Sequence, residues 1–421
     1  MERSLQWSRP ASLLLLAVAF LSASAVASAG RGEYNPDPFS VVNHFNRAVH
    51  RSTSPRRALS EKKKKYTGPC LATNPIDRCW RCRKDWATDR QRLARCAKGF
   101  GRYATGGLGG KIYIVTDPSD DPVIPRPGTL RWGIVQFEPL WIIFARDMII
   151  TTTQELLIQS NKTIDGRGAQ VHIMDGGGLT VQNQHNVIIH NLHVRNIKLT
   201  PGGDVAVFPN HFTKRSQADG DGVSIFNATN VWVDHLSMAN CQDGIVDVVV
   251  QATAITVSNC HVTDHNEVML FGANDTTPED KVIQVTVAFN HFGRGLVQRM
   301  PRCRYGFFHV VNNDYTHWLM YAVGGSSQPT IISQGNRYIA PPNMAAKEVT
   351  KREYAEEPVW KNWVWHSEGD LMMSNAFFVP SGGNIQRQLN KKDLIKPKPG
   401  EYVTRLTRMA GTLTCKPGSP C

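Results

Sequence analysis

One pattern constrains this chain more than any other: short blocks of alternating apolar and polar residues recur along its middle. They read Val187-Ile-Ile-His-Asn-Leu-His-Val194, Val231-Trp-Val-Asp-His-Leu-Ser-Met238 and Ile255-Thr-Val-Ser-Asn-Cys-His-Val262. Three more follow: Val285-Thr-Val-Ala-Phe-Asn-His-Phe292, Phe308-His-Val-Val-Asn-Asn-Asp-Tyr315 and Ile331-Ile-Ser-Gln-Gly-Asn-Arg-Tyr338. Their starts lie 44, 24, 30, 23 and 23 residues apart, and the first interval is read as two periods of about 22. Alternation of period two means strands and not helices. A block this short cannot bury its inner face alone, and stacking successive coils removes that problem. The pattern therefore predicts an all-β chain folded as a parallel β-helix. A β-sandwich is the rival, but the regular period and the lack of hairpin dipeptides speak against it.

Asparagine recurs near the polar corner of the blocks, at Asn191, Asn259, Asn290, Asn312, Asn313 and Asn336. In a stacked coil such side chains hydrogen-bond along the stack and satisfy turn backbone, so they are read as architecture. The longer stretches between blocks, Lys198–Gln217 and Gly272–Lys281, are where loops can project and wall a cleft.

The N-terminus belongs to targeting and not to the fold. Residues 1–29 carry early arginines (Arg3, Arg9), an apolar run from Ala11 to Leu21 and a small-residue site at Ala27-Ser28-Ala29, the make-up of a secretory signal peptide. Residues 30–66 form a basic linker, with nine Lys/Arg against three acids. The chain's net charge is +13, and only +6 of it falls within Thr67–Cys421, the expected solenoid domain. The run Lys62–Lys65 is read as solvated or as a contact to acidic wall polymers, with no nucleic-acid role. No later apolar run is long enough to span a membrane. The tail Tyr354–Cys421 is expected to pack along the solenoid, and the absence of heptads suggests a monomer.

The nine cysteines, Cys70, Cys79, Cys82, Cys96, Cys241, Cys260, Cys303, Cys415 and Cys421, are disulfide candidates in an oxidising compartment, with at least one left over. Cys79-Trp-Arg-Cys82 is half of a zinc pattern with no second half. Three sequons, at Asn161, Asn227 and Asn274, are glycosylation candidates.

Two charged clusters point to chemistry. Asp219-Gly-Asp221-Gly222 is followed one coil later by Asp243-Gly-Ile-Val-Asp247. In a stacked solenoid these aspartates fall about 5 Å apart, the strand spacing. Four carboxylates that close need a cation, and hard oxygen ligands suit Ca²⁺, although Asp-Gly pairs are also ordinary turns. The loop is no EF-hand. The second cluster is Arg299-Met-Pro301-Arg302-Cys-Arg304. Three guanidinium groups would repel one another if buried, so they are expected to line an exposed groove for a polyanion. A uronate polymer fits better than nucleic acid, because no stacking platform accompanies them.

At these residues the chain resembles a known family. Trp232-Val-Asp-His235 and Arg299-x-Pro301-x-x-Arg304 are similar to the W-x-D-H and R-x-P-x-x-R signatures of the pectate lyase superfamily. The resemblance to plant pectate lyases covers nearly all of Asn74–Ala340. It includes Asn74-Pro-Ile-Asp-Arg-Cys-Trp-Arg-Cys82, Leu140-Trp-Ile-Ile-Phe-Ala-Arg-Asp147, Thr163-Ile-Asp-Gly-Arg-Gly168 and Asn312-Asn-Asp-Tyr-Thr-His-Trp318. Asn35–Arg51 resembles the short N-terminal domain of the flower- and pollen-type members. The resemblance implies a right-handed parallel β-helix that cleaves de-esterified pectin by β-elimination. It implies that Asp219, Asp243 and Asp247 hold Ca²⁺, with Asp221 a further ligand near a substrate-linked calcium. It assigns Arg299 to the base and Arg304 to a substrate carboxylate; Arg302, from the same arginine cluster, is a further substrate-binding candidate. Asp234 and His235 are read as structural. The chain departs from the family where many members carry a substrate-contacting lysine, at Asn266 and Glu267.

Two other functions compete. A polygalacturonase on a similar solenoid needs paired carboxylic acids about a water, and that family's N-T-D, G-H-G and R-I-K signatures are absent. A non-catalytic pectin-binding wall protein is the other; retention of the aspartates and signature arginines speaks against it.

Overall fold

A computed structural model describes residues 70–383 and 390–421. The expected leader (1–29) and basic linker (30–66) lie outside the described residues. Three parallel sheets, of ten, nine and eight strands, run along the described chain, and each strand pairs with its equivalent one coil away. This is the all-β right-handed parallel β-helix the sequence predicts.

Each repeated block proves to be two strands and a corner. His185–His190 belongs to the ten-stranded sheet and His193–Arg195 to the nine-stranded one, and the pattern recurs at Thr229–Asp234 and Ser237–Ala239. The corner turns on one residue of positive φ: Asn191 (61°), His235 (55°), Asn259 (52°), Phe289 (59°), Asn312 (52°) and Gly335 (62°). Asparagine and glycine tolerate that left-handed region best, which is why they recur there. The inward positions Val187, Val231, Ile255, Val285, Phe308 and Ile331 stack into one fully buried column.

The first interval was misread as two coils. His185–His190 pairs directly with Thr229–Asp234, Val187 opposite Val231. The surplus residues form an antiparallel ribbon, Gly203–Phe208 with His211–Arg215, which projects from a single coil. Its turn runs through Pro209-Asn210, with Asn210 at φ 58°. No Asn-Gly or Asp-Gly pair marks that turn, so the sequence carries no hairpin signal there.

The asparagine column is a hydrogen-bonded ladder. Asn290 Nδ2 donates to Asn313 Oδ1 at 3.0 Å, and Asn313 Nδ2 donates to Asn336 Oδ1 at 3.0 Å, all three side chains being buried. Asn313 Nδ2 also reaches the Val287 carbonyl at 2.8 Å. Asn313→Ala should therefore orphan groups on both neighbouring coils and cost about 1–3 kcal/mol, read as a lower Tm. An unchanged Tm would remove the ladder from the account of stability.

The outer face of the ten-stranded sheet is covered by the helix Pro75–Trp80 and by the C-terminal tail, with Trp80, Trp141, Trp232, Ile395, Leu406 and Leu413 in one apolar cluster. Ion pairs fasten this cover. His235 Nε2 lies 2.8 Å from Asp77 Oδ1, and Arg81 Nη1 donates to Asp77 Oδ2 at 2.7 Å. Burial pulls the His235 imidazole down, but Asp77 and Asp234 outweigh it and leave its pKa raised. Asp234 accepts from Ser258 Oγ (2.6 Å) and Asn259 Nδ2 (2.8 Å), and meets His190 Nδ1 at 2.9 Å. The W-x-D-H signature is thus a clamp between cover and solenoid. Disulfides Cys70–Cys82, Cys79–Cys96 and Cys415–Cys421 tie down both ends of the cover, so Cys79 and Cys82 sit in separate bridges. Cys241, Cys260 and Cys303 are free and buried.

Candidate active site

The aspartates stand at one edge of the eight-stranded sheet, where its strands begin, Asp247 within a strand and the other three just before the strands. Val223–Phe226 pairs with Val246–Val249 in parallel, Val223 opposite Val246 and Ser224 opposite Asp247. Pleating turns Val223, Ile225, Val246 and Val248 into the core and Ser224 and Asp247 outward. The Asp-Gly pairs just before these strands are close-approach points. Gly244 N–H donates to Asp221 Oδ1 at 2.9 Å, and a Cβ on Gly244 would lie 2.1 Å from Asp247 Oδ1. A side chain there would have to displace the Asp247 carboxylate.

Asp219, Asp221 and Asp243 each offer an oxygen, all within 4.8 Å of one another. Asp247 stands beside this trio, its Oδ1 accepting the Leu270 N–H at 3.2 Å. Burial, then Asp247, Asp219 and Asp243, push the Asp221 carboxyl well above its ordinary pKa. Burial and Asp243 do the same to Asp247. Burial, Asp219 and Glu267 raise Asp243, with Arg299 opposing. The site gathers more negative charge than it can hold ionised without a cation.

The arginines lie further along the same wall, and their surroundings differ from the sequence reading. Arg302 and Arg304 are only 4% and 8% exposed, not open to a groove as expected. Each guanidinium has its own carboxylate, so repulsion does not force them out. Arg299 Nη2 is 2.7 Å from Glu267 Oε1, Arg302 Nε 2.7 Å from Glu353 Oε2 and Arg304 Nε 3.1 Å from Asp275 Oδ1. Arg304 Nη1 also donates to the carbonyls of Gly272 (2.9 Å) and Ala273 (3.2 Å). Burial, then Arg302, pulls the Arg304 guanidinium below its usual pKa, with Asp275 opposing. Within Arg302–Arg304, pleating sends Cys303 into the core and leaves the two flanking arginines on the outer side, beneath covering loops. The Arg302 contact is out of line for a hydrogen bond, so its Nε and Nη2, like Arg299 Nε, keep buried N–H groups without hydrogen-bond partners among the described residues.

Residues 150–357 match the family model described as pectate lyase. A pectate lyase of Lilium longiflorum is 60% identical over 403 residues, covering 94% of this chain and 92% of the relative. One of Zinnia elegans is 50% identical over 412 residues, covering 98% and 100%. The chain belongs to the pectate lyase family. Among solved structures, jun a 1, the major allergen from cedar pollen, superposes with a TM-score of 0.80 at 44% identity, covering 81% of this chain and all of the other. A thermostable pectate lyase shares the fold at 17% identity, with a TM-score of 0.58 over 75% of this chain and 97% of its own.

Three site residues of this pectate lyase escaped the sequence reading. Glu353 and Asp275 are found only through the partners they hold; Asp275 lies inside the projecting stretch Gly272–Lys281, whereas Glu353 had no local signal. Lys198 was likewise unmarked, although with Arg215 it lines a cavity of about 350 Å³ beside Asp219 and Asp221, in the first projecting stretch. Of the three sequon asparagines, Asn227 is exposed. Asn161 is half-buried and accepts from Asn186 Nδ2 at 2.7 Å, while Asn274 Oδ1 is held by Thr276 N–H at 2.8 Å. Among the described residues no helix is long and apolar enough to cross a membrane.

Proposed function

We propose that this pectate lyase is a secreted, monomeric, calcium-dependent enzyme that cleaves de-esterified pectin, α-1,4-polygalacturonate, by β-elimination. The observation that carries the reading is the trio Asp219, Asp221 and Asp243 on the same wall as the arginines Arg299, Arg302 and Arg304. The donor set fits calcium: all ligands are hard oxygens, and burial has already made the carboxylates costly to ionise alone. Asp219, Asp221 and Asp243 would hold the ion, with Asp247 beside them completing the negative charge. Bound there, calcium supplies Lewis-acid stabilisation of charge on the uronate carboxylate.

The chain's own residues do the rest. Arg304 and Arg302 orient a substrate carboxylate, a task for planar two-pronged donors. Arg299 reaches C5, the carbon α to that carboxylate. As the C5 proton is removed, its bonding pair is delocalised into the adjoining carboxylate as an enolate-like species. That pair becomes the C4=C5 double bond as the C4–O bond breaks, and the departing oxygen leaves with the C4–O pair and takes up a proton. A guanidinium is a poor base, with a pKa above ~12. Activity is expected to climb towards alkaline pH, where a deprotonated base is easier to reach.

Secretion is supported by the three disulfides, which persist in oxidising compartments. The monomer is supported by the helices, none longer than 6 residues among those described. Asn227, the exposed sequon, is the best placed for a glycan.

One assay decides the reaction. Polygalacturonate is incubated with calcium or with chelator, and ultraviolet absorbance and reducing ends are both followed. A rise in both, abolished by chelator, is the expected result. Reducing ends without absorbance would mean a hydrolase, and neither signal a binding protein.

A further inference from the structure

We propose that a basic cavity on the side of the solenoid away from the aspartates is a second, non-catalytic binding site for an acidic polysaccharide. Its identity as the uronate polymer rests on the function proposed above. The cavity, of about 540 Å³, opens between the helix Pro75–Trp80, the C-terminal tail and the corner where the ten- and nine-stranded sheets meet, at Phe289 and Asn312. The aspartates occupy the third sheet, so one polymer segment does not fill both sites.

Charge is the first argument. Arg78, Lys98, Lys396 and Lys398 line the cavity, and no Asp or Glu does. All four are exposed, and none has a carboxylate partner among the described residues. An adjoining cavity of about 370 Å³ shares Lys98 and Lys396 and adds Arg102 and Lys392. Of these, Arg102 is paired, with Asp393. On the aspartate wall, by contrast, Arg299, Arg302 and Arg304 each find a carboxylate. Convergence of unpaired cations on one concavity costs repulsion that an anionic ligand relieves.

Rigidity is the second. Lys398 N–H donates to Asn312 Oδ1 at 2.9 Å, and Asn312 Nδ2 donates back to the Lys398 carbonyl at 2.6 Å. Pro397 and Pro399 flank that residue and restrict its backbone. Lys396 and Lys398 are thereby presented together to the same cavity, with little backbone freedom left to lose on binding. The floor, Phe289 and Leu406, is apolar and buried. A uronate polymer offers a carboxylate per residue to the cationic rim. Single-stranded nucleic acid stacks on exposed aromatic rings, and Phe289 is buried.

The test uses the full chain and the triple variant Lys98→Ala/Lys396→Ala/Lys398→Ala, whose Tm should match wild type because all three side chains are exposed. Binding is measured in chelator to beads carrying polygalacturonate, to beads carrying fully methyl-esterified pectin, and to phosphatidylserine vesicles. Wild type should bind the acidic beads in a salt-dependent way and ignore the esterified ones. The triple variant should bind the acidic beads at least about tenfold more weakly. Turnover of a soluble trigalacturonate with calcium should stay within about twofold of wild type, since the groove is untouched. Equal bead binding by variant and wild type would overturn the site, and so would vesicle binding as tight as bead binding. If wild type binds beads but turns over nothing, the proposed reaction fails and the cavity stands.

Discussion

Arg299→Lys should lower kcat by about 10²–10⁴-fold, the range for removing a group that acts on the transferred proton. Lysine keeps the charge and can still meet Glu267, so the global electrostatics barely change. What it loses is the planar fork and the position of the nitrogen nearest C5. Binding of oligogalacturonate should change little, because Arg304, held by Asp275 and two carbonyls, is left in place. Arg304→Lys should give the converse: weaker binding, seen in KM, with a smaller loss of kcat. The split is what tests the roles. A near-normal kcat for Arg299→Lys, with calcium binding intact, would sink the assignment and move attention to its partner Glu267.

Calcium should stabilise the fold strongly, and the absence of calcium should make stability fall as pH rises. The sign follows from the raised carboxyls. Asp221, Asp243 and Asp247 have folded pKa values above their unfolded ones. From about pH 4, where an unfolded aspartate ionises, up to those raised values, the folded chain holds more protons than the unfolded one. Stability in chelator should therefore decrease through that window. A bound cation removes the penalty, and at a hundred times its Kd it adds about 2.7 kcal/mol by mass action. Asp243→Asn and Asp247→Asn each take one charge from the cluster. Both should lose most of the calcium response and should be more stable than wild type in chelator near neutral pH. Thermal melts with and without calcium read both effects. Calcium shifts as large in both variants as in wild type would place the cation elsewhere.

Much of the architecture was legible because its rule is local. Period-two alternation at a near-constant spacing demands a stacked β solenoid, and the buried columns through Val187, Val231 and Ile255 follow directly. The stretch Lys198–Gln217 was expected to project and does, but its form as the ribbon Gly203–Arg215 was not legible, since an insertion close to one period in length imitates a coil. The aspartates could be found from spacing, because register fixes neighbours one coil apart, as Ser224 opposite Asp247 shows. Their glycine partners carried the same information: a side chain at Gly244 would displace the Asp247 carboxylate.

The arginines show where such reasoning stops. Three cations within six residues look as though they must face water, and only the fold supplies Glu267, Asp275 and Glu353 to pair them. The W-x-D-H residues are another case: nothing near Trp232 announces that His235 will meet Asp77, 158 residues away. By itself, then, the sequence determined the coil, its period, its inner face and the carboxylates that stack on it, because these depend on alternation and register between adjacent turns. Tertiary structure alone decided which charges are neutralised, which signature residues clamp instead of react, and where unpaired lysines converge, because those depend on side chains brought together from distant parts of the chain.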